Sequence, residues 1–536
     1  MRHDVSRRTR QPYAWLGAGA VTLGIGAALA SGSAVAYADS GAGAGAGKAS
    51  SSASDSTGAK KATAHSARSS EATSSRGSTS TRKASKAAVS NAPAAAKRVQ
   101  ATAATSPAAV PAAANATPSS TSWLPSTPPV VANVAVGLAL QQIADARSLL
   151  QQQTWGSGNF AAGVVSVAPQ ILLTQAALAL NTWQATITPA QSLYARTSGV
   201  PIVHELAGVS LLGALLLPTL ATTALSSAGL FLPLVGAFEG TGGITPVQNL
   251  VSTAALNGRV YAVVPVTMRS TTEPIVYISV NGGPSTPVLV DSGSSGLVLT
   301  AASVGDAVPL GAPTGTGTSG YSGGLSYSYT TYTTTVNFGN GIVSGPTNVN
   351  IVDADDAAAA LSFFHQLGGA SGVLGIGANA AGPGPVGIPT TALPGDLSQG
   401  VFLYQGLLLG VAGVMVFGPN PLPTRTSVSG APDAYLNVKI NNGTPTTVGA
   451  IIDSGGVYGT ILSSMVGGGS VPVGTRISVY TPDGVLLYSY IVTSQNRPTV
   501  ITSGLINTGY APFQHGPVYL DYTTPDGMGS THFDYA

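Results

Sequence analysis

Two carboxylates stand out by their surroundings. Asp291 ends the apolar run Pro287-Val-Leu-Val290 and opens Ser292-Gly293-Ser294-Ser295-Gly296, after which Leu297-Val-Leu299 is apolar again. Asp453 ends Gly449-Ala-Ile-Ile452 and opens Ser454-Gly455-Gly456, and the chain turns apolar again at Ile461-Leu462. Each pattern predicts a strand, a tight polar loop and a second strand. The strand end pins the Asp, the glycines let the backbone turn sharply beneath it, and neighbouring hydroxyls can hydrogen-bond its carboxylate. A lone Asp-Ser-Gly is a common turn; two copies, each behind an apolar strand, are far more specific.

Two carboxylates forced together cannot both ionise cheaply. They share a proton, and their apparent pKa values belong to the pair. The ionised member can take a proton from a water held between them, while the protonated member hydrogen-bonds a carbonyl. That is general acid–base hydrolysis of an amide without a covalent intermediate.

The elements that would position this pair form a repeat. Tyr277-Ile-Ser-Val-Asn-Gly-Gly-Pro284 precedes the first Asp loop, and Tyr435-Leu-Asn-Val-Lys-Ile-Asn-Asn-Gly-Thr-Pro445 precedes the second. Each half reads as a hairpin feeding the strand that ends in Asp. From about residue 259 the chain is short apolar or Tyr/Thr-rich runs punctuated by Gly and Pro, which predicts a mainly β, bilobal domain. The lobes are expected at 259–430 and 431–536.

Residues from about 260 to 536 resemble the pepsin-like aspartic proteases. Val290-Asp291-Ser-Gly-Ser-Ser295 is similar to that family's first catalytic motif, and Val373-Leu374-Gly375 resembles the element crossing behind it. Gly410–Gly418 resembles the strand closing the first lobe, and Ile506–Phe513 with Val518–Tyr522 the second lobe's counterpart. The Gly/Ala/Thr-rich, cysteine-free composition is nearest to mycobacterial aspartic proteases that process PE-family proteins, although no PE helical domain is read at the start. The resemblance implies that Asp291 and Asp453 are the catalytic dyad. Ser292 and Ser454 would brace the two loops from beneath, with Gly293 and Gly455 beside them, and Ser294 would bond the outer oxygen of Asp291. Tyr321 would be the flap residue over the substrate, with Tyr327 the alternative. Because Gly456 stands where the second loop would carry a hydroxyl, Asp291 is expected to hold the charge and Asp453 the proton.

Residues 1–38 read as an export signal, with Arg2, Arg7, Arg8 and Arg10 ahead of the apolar stretch Trp15–Ala30 and Ala36-Tyr-Ala38 at the cleavage site. Arg7-Arg8 also suggests twin-arginine export. Residues 39–127, rich in Ala, Ser, Thr and Lys, lack the apolar side chains to offset ordering entropy and read as a disordered tether. Residues 128–258 read as an apolar helical segment. Within it Leu206–Phe238 is long enough to span a bilayer, yet small buried helices broken at Pro218 and Pro233 are the expected form.

Composition closes several routes. Cys is absent, so there is neither disulfide nor thiolate chemistry. Residues 1–98 hold 14 of the 22 Lys/Arg, which leaves 8 basic and 16 acidic residues and a net charge of −8 in the remainder. An acidic folded part argues against nucleic acid as a partner. The six His, at 3, 65, 204, 365, 515 and 532, show no zinc spacing. Asp353, Asp355 and Asp356 read as a solvated acidic turn rather than a Ca²⁺ loop. Gly320-Tyr-Ser322-Gly-Gly324 fits a nucleophile elbow in letters but lacks the strand-to-helix context. The expectation is therefore an exported, envelope-associated, monomeric aspartic endopeptidase acting on polypeptides, itself included, with no cofactor or metal. Residues 39–238 are a candidate for wall or membrane association. The competing readings are an inactive peptide-binding surface protein on the same fold, and a serine esterase using Ser322.

Overall fold

The computed structural model describes residues 130–535 except 241–242, 381–386 and 407–411, with the side chains of 130 and 131 also outside the description. The expected signal and tether lie outside the described residues. Four helices come first: α1 Val130–Gln153, α2 Phe160–Arg196, α3 Pro201–Glu239 and α4 Ile244–Gly258. Asn159 caps α2 by accepting the amide of Ala162 (3.0 Å), and Gly240, at φ 80°, closes α3.

The helices are not broken at their prolines. Pro169 and Pro189 lie inside α2, and Pro218 and Pro233 inside α3. An internal proline removes one hydrogen bond and costs about 3 kcal/mol in isolation. Here α2 and α3 pack against each other along an apolar seam through Leu173, Leu180, Leu211, Leu215 and Leu225, all buried, and such packing is where most helical stability arises in proteins.

The rest of the described chain is mostly β, as its short β-branched and aromatic runs require. The strands of the first repeat are β1 Ala262–Arg269, β2 Glu273–Val280, β3 Thr286–Asp291, β4 Ser295–Thr300, β5 Gly315–Gly320, β6 Ser326–Thr334, β7 Val336–Asn337, β8 Thr347–Val352 and β9 Gly372–Ile376, with helix α5 Ala354–Gln366 before β9. Then come β10 Gly400–Gly406, β11 Ala412–Phe417 and β12 Thr426–Ser429. The second repeat carries β13 Asp433–Ile440, β14 Thr446–Ile451, β15 Thr460–Leu462, β16 Arg476–Tyr480, β17 Leu486–Ile491, β18 Thr499–Ile501, β19 Ile506–Asn507, β20 Val518–Asp521 and β21 Ser530–Phe533.

Both halves use one unusual crossing. β9 pairs parallel with β3 (Asp291 opposite Gly375) and antiparallel with β4, so it threads between the two strands that flank the first Asp loop. A Cβ on Gly375 would lie 2.7 Å from the backbone of Ser294 and Ser295, which is why this position is glycine. β19 repeats the plan, parallel to β14 and antiparallel to β15.

The last strands of the chain return to the first half. The run β12-β21-β20-β10-β11-β1 forms one edge of the larger sheet. Val264, Leu403, Met415 and Leu520 face the β core, whereas Val263, Phe402, Val414, Val416 and Tyr519 face the core built by α1–α4. Apolar residues on both faces of these strands reflect this double covering. The helices are thus the back layer of the β domain.

The acidic triplet is not a solvated turn. Asp353 precedes α5, and Asp355 and Asp356 lie in its first turn, where carboxylates complement the helix dipole. Asp353 accepts from Thr330 Oγ1 (2.9 Å) and Asp356 from the amide of Ser328 (2.7 Å), which ties α5 to β6.

Candidate active site

Asp291 ends β3 and Asp453 follows β14 by two residues, and each is 8 % exposed. Two serines lock the loops together. The amide of Ser292 donates to Ser454 Oγ (3.0 Å) and that of Ser454 to Ser292 Oγ (2.8 Å). The same hydroxyls donate onward, Ser292 to the carbonyl of Ile452 (2.7 Å) and Ser454 to that of Val290 (2.8 Å). All four bonds are buried, so their geometry is not loosened by water.

The glycines set the approach. A Cβ on Gly293 would lie 2.5 Å from the Asp453 carboxyl carbon, and one on Gly455 would lie 3.2 Å from Asp291 Oδ1. Each glycine amide bonds the carboxylate of its own loop, Gly293 to Asp291 Oδ1 and Gly455 to Asp453 Oδ1, both at 2.9 Å. Ser294 Oγ donates to Asp291 Oδ2 (2.6 Å).

The second loop is not bare. Asn507 Nδ2 donates to Asp453 Oδ2, in the place that the missing hydroxyl at Gly456 would fill. Gly456 has no room for one, because a Cβ there would lie 2.3 Å from Asn507 Oδ1. The premise that Asp453 lacks a side-chain donor therefore fails, and the expected charge asymmetry loses its ground. Burial first, and the facing Asp453 carboxylate second, push Asp291 well above the ordinary carboxyl range, against the pull of Ser294 and Gly293. The two loops bring the carboxyls close enough for the Asp453 charge to act on Asp291.

Tyr321 stands at the turn between β5 and β6, where its amide bonds the carbonyl of Leu325 (3.0 Å). Its ring stacks on Tyr327 (6.1 Å) and Phe363 (5.9 Å) and meets Phe364 edge-on. Burial, then Tyr327, then the Asp291 carboxylate push its phenol well above the usual range, so the hydroxyl is neutral and lies within the field of Asp291. Tyr327 is almost fully buried in the cluster beneath. Ser322 is exposed at the same turn, between two strands, so the strand-to-helix geometry of a nucleophile elbow is absent there.

Asn507 and Asp433 were not singled out by sequence. Asp433 begins β13, and burial followed by the Asp453 charge raises its carboxyl to about 6. The repeat itself could have flagged Asn507, since it falls beside Gly509 in the second half's counterpart of Val373-Leu374-Gly375. Three surface cavities among the described residues lie on the helices or behind the β domain, and neither Asp291 nor Asp453 lines them.

Two symmetric Asp loops braced by exchanged serines and backed by threaded strands define the β region as an aspartyl peptidase-like domain. Residues 262–531 match the family described as the PE-PGRS C-terminal aspartyl peptidase-like domain, and the chain belongs to that family. It is 50 % identical over 295 residues to PE cleavage protein A of Mycobacterium tuberculosis strain H37Rv, covering 51 % of each chain. It is 45 % identical over 294 residues to PE cleavage protein A of Mycobacterium marinum strain M, covering 51 % of this chain and 52 % of that one. The chain thus spans about half the length of these relatives. Among solved structures, the aspartic proteinase of Irpex lacteus aligns at TM-score 0.36 and 15 % identity, over 51 % of this chain and 97 % of that one.

Proposed function

We propose that the chain is an exported aspartic endopeptidase that cleaves PE-family polypeptides with Asp291 and Asp453 as a proton-sharing dyad. The observation that carries this reading is the pair of buried carboxyls brought together over the reciprocal Ser292–Ser454 brace. In this reading a water between the carboxyls loses a proton to the ionised member and attacks the peptide carbonyl, whose oxygen is hydrogen-bonded by the protonated member. The proton then passes to the leaving nitrogen, and no acyl-enzyme forms. Tyr321 closes over the bound chain on the β5–β6 turn. The relatives' name supports PE polypeptides as substrates, and the basic, apolar start of the chain supports export.

Incubating the full chain with a purified PE polypeptide and mapping the fragments by mass spectrometry tests this. Discrete cleavage, with one ¹⁸O from labelled water in each new carboxyl terminus and no pre-steady-state burst, is expected. A burst with a trapped covalent adduct, or an intact substrate, would refute it. An intact substrate would favour the peptide-binding alternative.

A further inference from the structure

The two halves of the repeat are alike at the dyad but differ two registers away. Ile275 on β2 pairs with Leu289, two residues before Asp291. Asp433 on β13 pairs with Ile451, two residues before Asp453. Ile275 and Asp433 are therefore the same position in the two halves, on the strand beside the one that carries the catalytic loop. The first half places a buried aliphatic there, packed with Leu289 and Ala370. Leu289 in turn reaches the opposite loop, its Cδ2 lying 3.1 Å from where a Cβ on Gly455 would stand. This position thus sits at the wall of the site.

In the second half the wall is acidic. Asp433 is half-buried, and among the described residues its buried Oδ1 has no hydrogen-bond partner. Its main chain is fixed on both sides by Asn379, which donates Nδ2–H to its carbonyl and accepts its amide, both at 2.9 Å. The structure thus holds a carboxylate with one buried, unsatisfied oxygen on the strand beside the Asp453 loop, with no salt bridge to a cation among the described residues. Such a group costs free energy, which a donor brought by a bound partner would offset. The chain after residue 98 carries a net charge of −8, so it favours the approach of cations.

We propose that Asp433 is a specificity-determining residue that receives a lysine or arginine side chain of the substrate, on the side of the scissile bond bound by the second half of the repeat. The equivalent place in the first half, at Ile275, receives an apolar side chain. This rests on the peptidase reading above. The incoming ammonium or guanidinium supplies the hydrogen bond that Asp433 lacks and neutralises its repulsion with Asp453. The ionisable group that acts on it is Asp453. The neighbours from β14 and from the loop after β9, Ile451 and Asn379, do not titrate.

The test uses paired peptides that differ only by lysine or norleucine at each position flanking the cleaved bond, with the full chain as enzyme. At pH 7 the kcat/KM ratio of lysine over norleucine on one side of the bond is expected to be roughly ten- to a hundredfold, the scale of one charge-assisted hydrogen bond. In Asp433→Asn that ratio is expected to collapse toward one, and in Asp433→Ile to invert. The unmodified chain gives a second readout: its ratio should fall as pH drops through about 6. Because both peptides use the same dyad, the dyad's own titration cancels. A lysine preference unchanged in Asp433→Asn, or no preference in the unmodified chain while cleavage proceeds, overturns the proposal. No cleavage of any peptide would instead refute the peptidase reading.

Discussion

Asp291 receives a hydroxyl from Ser294 and Asp453 an amide from Asn507. A hydrogen bond to the charged form lowers the pKa at which a carboxyl gives up its proton. Ser294→Ala and Asn507→Ala should each move the acid limb of the kcat/KM profile to higher pH. Gly456→Ser should not substitute for Asn507, because its Cβ would collide with the Asn507 side chain, and lower activity is expected. An acid limb that stays in place in Asn507→Ala would show that this donor does not act on the pair. Sequence alone identified both carboxylates and the serines beside them, since these are local to the loops. It missed Asn507, because that contact joins residues 54 apart and only the threaded β19 brings them together.

Asp433 carries a consequence for stability as well. Its folded carboxyl is raised to about 6, so the folded chain keeps a proton that an unfolded Asp releases near pH 4. The folded state binds the extra proton, so stability falls as pH rises from about 4 to about 6. Asp433→Asn removes that penalty. Its melting temperature should exceed that of the unmodified chain at pH 7 and match it below about pH 4. A difference that is constant with pH would contradict the assignment.

At the scale of elements, the β5–β6 hairpin depends on its seat. Gly323 lies against Phe363 of α5, and a Cβ there would come within 2.7 Å of the ring. Gly323→Ala should lift the hairpin and its Tyr321 from the aromatic cluster. The expected result is a loss of kcat/KM of roughly tenfold or more, with a thermal midpoint little changed because the turn is exposed. A variant with unchanged kinetics would place Tyr321 outside the reaction. The repeat, the short strands and the crossing segments were legible because their periodicity and glycines are strong local signals. The continuous helices were not. Pro218 and Pro233 read as breaks in isolation, and packing against α2, α4 and β1 holds the helix through them. The start of α5 was likewise hidden, because three Asp within four residues read as turn chemistry until the strand they tether is known.

At the scale of the whole molecule, the helices and the β domain share a core. Removing residues before 259 would uncover Val263, Phe402, Tyr404, Val414, Val416, Leu422 and Tyr519 on the back of the sheet. At about 1.5 kcal/mol or more each, that is on the order of 10 kcal/mol, comparable with the entire stability of a domain. A 259–536 fragment should therefore aggregate or melt far below the full chain, and a fragment of equal stability would contradict the shared core. A boundary drawn at the change from helical to β periodicity misses this, because which helix faces meet which strands is not written in either pattern alone.

The most direct measurement compares turnover of one cleaved peptide by the unmodified chain, Asp291→Asn, Asp453→Asn and the double variant, with thermal melts alongside. Each single substitution removes half of a unit that works only by sharing a proton. Each should lower kcat roughly a thousandfold or more, the double variant should be no worse than either, and all should remain folded. A single variant that keeps its turnover within about tenfold of the unmodified chain, or a double variant far worse than both singles, would contradict a shared-proton dyad.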